Sequence, residues 1–368
     1  MNYGFTINGK TYNAQNVLII AELGTSHRAD LAKAKDLVSL AKEAGADCIK
    51  FQIVYADEIL HPNTGIVKLP GGNIRLYDRF KELEVKTDFF YEIKDFVESQ
   101  GLLFLATPFG IKSARELFNL KPLAIKIASP ELNYSALLKE VSSYNLPVFL
   151  SSGVSKLADI EEALSILQCP VCLFHCVTAY PAPEIDYNLK LLKTLSGIFG
   201  IPCGISDHSL DPQLIPVLSV AMGATTIEKH FCLSRNDPGL DDPIALAPND
   251  FANMVKSVRN AEKKTSGEII EEVSKEKGLD FVRAILGDGV KRLAPSESAN
   301  YERTNRSIHA LRDIQEGEVF TEDMFAVLRT EKILRVGLKP SFAEKIIGRK
   351  ASNFIPAGEG IRFEDISY

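Results

Sequence analysis

VLIIAE (17–22), DLAKAKDLVSLAKEAG (30–45) and DCIKFQ (47–52) follow one another along the chain, and their reading decides the fold. The outer two are apolar runs of strand length that turn polar at their C-terminal ends. The middle one repeats its apolar residues at helical spacing, and Gly45 stands where a helix takes a C-cap glycine. Strand, helix and strand in so short a stretch predict two parallel strands joined by a crossover helix. The pattern continues outward. LLFLATP (102–108), AIKIAS (124–129), PVFLSSG (147–153), VCLFHCV (171–177), IPCGISD (201–207) and TTIEKH (225–230) are further strand candidates, and KLADIEEALSIL (156–167) is another amphipathic helix. Eight such units in about 250 residues predict an α/β fold, a (β/α)8 TIM barrel, placed here at residues 1–268. A doubly wound sheet is the other solution, but no glycine-rich fingerprint follows the first strand.

The rest of the chain has a different texture. The connection from 53 to 86 shows no helical pattern and holds the turn-like HPNTG and LPGGN, as suits a long binding loop at the top of a barrel. Residues 269–300 are polar, charged and helix-biased, end in APSESAN, and read as a linker. Residues 301–368 hold the strand-like pieces SIHALRDI, EVFTEDMFAVL and KIIGRKASNFI between turns at QEGE and PAGEG, which predicts a small, loop-rich second domain. Hydrophobic residues at 45% and charged residues at 24% are those of a globular protein. A net charge of -6 argues against nucleic acid or an anionic membrane as partner, so an anionic ligand needs a local cluster of cations. No apolar run reaches the roughly 20 residues that span a bilayer, and MNYGFTINGK lacks the basic and apolar regions of a signal peptide. The expected location is the cytoplasm, with the six cysteines reduced. Cys169 and Cys172 form a CxxC with no second pair at metal-site spacing.

The chemistry is concentrated at the strand ends. In chain order these carry Glu22, Lys50 with Gln52, Thr107, Lys126 with Ser129, Ser151, His175 with Thr178, Ser206 with Asp207 and His208, and Glu228 with His230. A barrel gathers those ends on one face, where active sites lie. Lys50 and Gln52 are two apart, as are Glu228 and His230, so each pair shares one side of its strand. Lys50 and Lys126, with the hydroxyls of Thr107, Ser129 and Ser151, suit a phosphate and a carboxylate. A lysine in an apolar strand is costly without a partner, so ion pairs are the structural alternative. His208 and His230 end neighbouring strands and suit a divalent metal with open positions.

In these stretches the chain resembles the sialic acid synthase family. The matching segments are IIAELGTSH, AGADCIKFQ, ATPF, IKIASPE, LSSG, HCVTAYPAP, GISDHS, IEKHF and DPGLDD, and NRSIHALRDIQEGEVF resembles that family's antifreeze-like (SAF, β-clip type) domain. The resemblance implies a reaction in which phosphoenolpyruvate and an open-chain N-acylated hexosamine join through a new C–C bond, with phosphate lost by C–O cleavage. It implies that Lys50, Gln52, Thr107, Lys126, Ser129, Ser151 and Ser206 bind phosphoenolpyruvate. Glu22, Thr178, Tyr180, Asp241 and Arg306 would hold the sugar, and His208 and His230 would hold Mn²⁺ or Mg²⁺. Glu22, Glu228 or Asp241 would handle water or a proton. Arg306 would reach into a partner's barrel, implying a domain-swapped homodimer. Ser26-His27-Arg28-Ala29, Thr178 and Cys232 depart from the commonest family pattern, which leaves the sugar open: N-acetylmannosamine or a relative, or a legionaminic- or pseudaminic-type diacetamido-6-deoxyhexose. Two other readings stand beside this one, a Schiff-base pyruvate aldolase using Lys126 or Lys50, and a non-catalytic sugar-binding barrel.

Overall fold

Side chains alternate between the two faces of each barrel strand, and the residue types on those faces differ. The strands are β1 (Leu18–Gly24), β2 (Cys48–Ile53), β3 (Leu103–Pro108), β4 (Ile125–Ile127), β5 (Val148–Ser151), β6 (Val171–Cys176), β7 (Cys203–Asp207) and β8 (Thr226–His230). The computed structural model describes residues 3–69, 72–331 and 333–367. Its eight strands run parallel in the order β3-β2-β1-β8-β7-β6-β5-β4. β3 and β4 lie side by side at the seam, so the sheet is the nearly closed barrel expected from strand–helix alternation.

The outer face of the strands, with Ile19, Ile49, Leu150, Leu173, Ile205 and Ile227, packs on the surrounding helices in one apolar core. Helix Leu31–Glu43 shows how the sequence achieves this: Ala34, Leu37, Val38 and Ala41 are its buried stripe, and the Asp30 carboxylate caps it by accepting from the Ala32 and Lys33 N–H groups. The inner face has two layers. Lower down, Leu18, Ile20, Cys48, Leu105, Phe149 and Phe174 fill the lumen, and a hairpin of Phe5–Ile7 with Lys10–Tyr12 plugs the bottom with Ile7 and Tyr12. Gly204 is needed there, because a Cβ would lie 2.7 Å from the Thr226 carbonyl oxygen and 3.2 Å from the Phe174 ring. Above this layer the inward positions turn polar and make the floor of the C-terminal face.

Two stretches differ from their sequence reading. The 53–86 connection contains helices Ala56–Ile59 and Leu76–Glu82 and an antiparallel hairpin of Ile66–Leu69 with Gly72–Arg75. These elements are too short to show a period, and tertiary contacts hold them: Leu76, Tyr77 and Phe80 pack on Val54, Ile59, Leu60 and Phe109. Of the turn-like LPGGN, Pro70 and Gly71 lie outside the described residues, as do Met1 and Asn2 of the N-terminal stretch. The expected linker is helical at Ser266–Lys277 and Leu279–Leu286. Ile269, Val282, Ile285 and Leu286 join the barrel core, so most of this segment packs as part of the barrel, and its charged outer face had masked a narrow apolar stripe.

Irregular chain from Gly287 leads to the second domain, where β9 (Arg306–Ala310) pairs with β10 (Phe325–Arg329) and Lys350–Ala351 pairs with Ile366–Ser367. Ile308, Ile314, Phe320, Ile355 and Ile361 form its own core. The domain sits on the mouth of its own chain's barrel. The Asn133 side chain donates to the Arg306 carbonyl and accepts from its N–H, and Asn63 donates to the Ala357 carbonyl at 3.0 Å. Among the described residues no helix is long and apolar enough to cross a membrane. All six cysteines are unpaired.

Candidate active site

The floor of the barrel mouth is a web of buried ions. Lys50 Nζ lies 2.6 Å from Glu22 and 3.7 Å from Glu228, and Lys126 Nζ lies 3.9 Å from Glu228. Lys126 donates to the Ser151 hydroxyl at 2.5 Å, Lys50 to Thr107 at 3.3 Å, Gln52 to Glu22 at 2.8 Å, and Ser206 to Glu228 at 3.0 Å. Strand register builds this directly: Glu22 pairs with Lys50 and His230, Gln52 with Thr107, and Ser206 with Glu228. Two lysines beside two carboxylates satisfy the demand of buried charge for partners, while the hydroxyls add neutral donors. Burial raises the Glu22 carboxyl to about 7, against the pull of Lys50 and with the push of Glu228. Burial works against ionisation of Glu228 too, but Lys126 and Lys50 win and hold it below the ordinary range. For Lys126 burial dominates and lowers its pKa, while for Lys50 the two glutamates outweigh burial and raise it.

His208 and His230 stand at one side of this floor with ring centroids 5.6 Å apart, and Tyr180 stacks on His208 at 4.3 Å. Burial opposes the charge on His208, but the Cys176 thiol and the Val177 carbonyl, 2.9 Å from Nδ1, outweigh it and raise the imidazole to about 9. In the neutral ring that carbonyl bond keeps the proton on Nδ1 and leaves the lone pair on Nε2. The turn bearing His208 is pinned from behind. Its N–H donates to the Tyr187 hydroxyl at 2.8 Å, and that hydroxyl donates to Asp207 at 2.6 Å. The fully buried Lys229 lies 2.6 Å from Asp207 and donates to the Ser209 carbonyl. Burial, and then His208, holds the His230 imidazole well below its ordinary pKa. The Asp241 carboxylate, raised to about 6 by burial, is 3.9 Å from His230 Nδ1. Two neighbouring imidazoles are the donor type that a divalent cation with open positions takes. Among the described residues no group of three or more His, Cys, Asp or Glu is arranged for a metal, so a cation here rests on the imidazole pair and on ligands it brings.

The cleft above the floor encloses about 260 Å³. Phe80, Phe109 and Leu240 give it an apolar wall, Thr304 reaches it from the end of the connecting segment, and Arg329 and Glu331 reach it from the second domain. Arg329 donates to Glu131 at 2.8 Å, and its guanidinium lies 5.3 Å from the Phe109 ring centroid.

Residues 37–270 match the NeuB family, and residues 305–367 match the SAF domain. The chain belongs to the NeuB family. It is 34% identical to the spore coat polysaccharide biosynthesis protein SpsE of Bacillus subtilis, over 95% of this chain and 93% of that one. It is 31% identical to N,N'-diacetyllegionaminic acid synthase of Legionella pneumophila, over 96% of each. The crystal structure of the Bacillus subtilis protein superposes with a TM-score of 0.82 at 32% identity, covering 99% of both chains.

In this NeuB family chain the cleft is lined by Glu22, Lys50, Gln52, Lys126, Ser129, Ser151, Thr178, Tyr180, Ser206, His208, Glu228, His230 and Asp241. Thr107 is fully buried behind Lys50. Arg306 lies outside the lining: it is buried against Glu131 at 2.9 Å and donates to the Phe109 carbonyl. Arg329, its cross-strand partner, lines the cleft in its place. The sequence signal for Arg329 was weak, because it ends a strand in a domain with no strand-end pattern. His175 bonds the Tyr187 carbonyl and Asp207 pairs with Lys229, so neither lines the cleft. His27 packs on Phe89 at 4.7 Å, and Arg28 is exposed with φ of 52°. Cys232 is buried under the loop that carries Asp241, with its thiol directed at the Asp242 carbonyl. Of the departures from the family pattern, Thr178 touches the cleft, and its buried hydroxyl has no protein partner.

Proposed function

We propose that this protein is a nonulosonate synthase that condenses phosphoenolpyruvate with an open-chain N-acylated hexosamine and releases phosphate by C–O cleavage. The observation that carries the reading is the juxtaposition, in one cleft, of Lys50 and Lys126 with their hydroxyl partners and the His208–His230 pair. The lysines and the hydroxyls of Ser129, Ser151 and Ser206 hold the phosphate and carboxylate of phosphoenolpyruvate. Its enol carbon then faces a sugar aldehyde placed between the histidines and Tyr180. C–C bond formation leaves positive charge on the carbon that bears phosphate. Glu228, held ionised by the two lysines, stabilises that charge. Glu22, with its carboxyl raised to about 7, takes the proton of the water that adds there. Collapse of the adduct expels phosphate with the original enol oxygen and leaves a 2-keto acid.

His208 and His230 would hold Mn²⁺ or Mg²⁺, and such a cation supplies Lewis-acid polarisation of a carbonyl when bound. Asp241, Tyr180, Thr178 and Arg329 hold the sugar and its acyl group. The expected homodimer with exchanged C-terminal domains is also a proposal, since the exchange would place on a partner the contacts made here within one chain. A phosphate-release assay tests the reading. It offers phosphoenolpyruvate with N-acetylmannosamine, its 6-phosphate, or a diacetamido-6-deoxyhexose, before and after chelation. Sugar-dependent, chelator-sensitive release is expected; release with no sugar requirement overturns it.

One observation favours a second reading. Burial lowers the pKa of Lys126, as a Schiff-base aldolase requires. Borohydride trapping of pyruvate on Lys126 would establish that reading, and the absence of trapping with intact phosphate release would exclude it.

A further inference from the structure

We propose that Glu297, on the segment that joins the two domains, is a positioning residue that clamps the two loops beside the anion pocket and so sets the affinity for phosphoenolpyruvate. The ligand named rests on the proposed function. Glu297 is 1% exposed. Its Oε2 accepts two backbone N–H groups from different barrel loops, that of Val154 at 2.9 Å and that of Thr178 at 2.8 Å. Its Oε1 accepts from the Ala294 N–H at 3.2 Å. One oxygen therefore ties the turn after β5 to the turn after β6.

Both turns belong to the cleft. The first starts at Ser151, and its Gly153 N–H donates to the Ser129 hydroxyl at 3.0 Å. The second carries Thr178, whose hydroxyl would lie 2.1 Å from a Cβ at Gly153, so the two turns are in close contact. Val154 has φ of 42°, in the left-handed region that a β-branched residue avoids. Such a conformation persists only where its surroundings enforce it. Here the enforcing groups come from the connecting segment. Glu297 takes the Val154 N–H, and the Asn305 side chain donates to the Val154 carbonyl at 3.1 Å. Lys291 donates to the Ser152 carbonyl and Asn300 to the Thr178 carbonyl, each at 3.2 Å. The segment runs directly into Arg306 and the second domain, so one clamp couples the seating of that domain to the shape of the pocket that holds Ser129 and Ser151.

The test is calorimetric binding of phosphoenolpyruvate to the full-length wild type and to Glu297→Gln, Asn305→Ala and Glu297→Gln/Val154→Gly, with Tm measured on each. Glu297→Gln keeps one acceptor oxygen and puts an amide N–H₂ where the other stood. The expected result is a Kd about tenfold weaker, accompanied by the lower Tm that follows loss of a buried charge-assisted hydrogen bond. Asn305→Ala, a milder change at the same turn, shifts Kd in the same direction by about threefold and carries the test if the glutamine variant does not fold. Glycine takes a left-handed φ without strain, so the double variant recovers affinity relative to Glu297→Gln. Wild-type affinity in both single variants, with only Tm lowered, would show a merely structural carboxylate and overturn the inference. No recovery in the double variant would overturn the role of the Val154 turn. Failure of the wild type itself to bind phosphoenolpyruvate would instead overturn the proposed function, together with the ligand named here.

Discussion

Glu22 is the residue whose proton is most finely poised. Its carboxyl is raised from 4.5 to about 7, so between those values the folded protein keeps a proton that the unfolded chain has lost. By linkage, stability from this group is fully present below the unfolded value and is lost as pH rises through about 7. Activity has the opposite sign if Glu22 is the base: kcat/KM, which reports the free enzyme, should rise through an apparent pKa near 7. Glu22→Gln should lower kcat by about 10²-fold or more and flatten that limb, as a pH–rate profile would show. An unchanged limb would remove Glu22 from the role. Arg329 and Arg306 make a second contrast, since both reach the same Glu131 oxygen. Arg329→Ala should raise KM for the sugar about tenfold, the loss of one charged hydrogen bond, with little effect on phosphoenolpyruvate binding. Arg306→Ala should cost about 3 kcal/mol of stability, because it strips a partner from a fully buried carboxylate. Steady-state kinetics and urea melts separate the two outcomes. The floor residues were legible in the sequence because strand alternation fixes which face Lys50, Gln52, Glu228 and His230 share. Arg329 was not, because only the docking of the second domain brings it to the cleft.

At the scale of elements, the helix Leu279–Leu286 is the clearest case where composition and structure part. Its outer face mixes the charged Asp280 and Arg283 with the exposed Leu279 and Phe281, while Val282 and Ile285 are fully buried in the barrel core. Ile285→Ala should cost about 2–4 kcal/mol in urea unfolding. A change near zero would return this stretch to the linker that its sequence suggested. The eight strands were legible because each is an apolar run with a polar end, and because the intervening helices keep their period. The short helices and the hairpin between 53 and 86 were not, since contacts such as Phe80 on Phe109 hold them where no repeat is long enough to read. That insertion matters to the site, because it supplies Phe80 to the cleft wall.

At the scale of the whole molecule, a barrel and a small domain share one cleft, and which chain supplies each half is testable by complementation. A Lys126→Met chain has a defective barrel, and an Arg329→Ala chain has a defective second domain. If domains are exchanged in a homodimer, mixing the two by refolding together restores activity in part when assayed with sugar well below KM, because one composite site of each mixed dimer is intact. No restoration would mean that each chain closes its own site, as the single chain does here. Phosphoenolpyruvate carrying ¹⁸O in its bridging oxygen reports on the proposed reaction itself. With an N-acylated hexosamine present, the label is expected to leave in the phosphate while a keto acid longer by three carbons accumulates. Label retained in the organic product, or phosphate released without a condensed product, would contradict it.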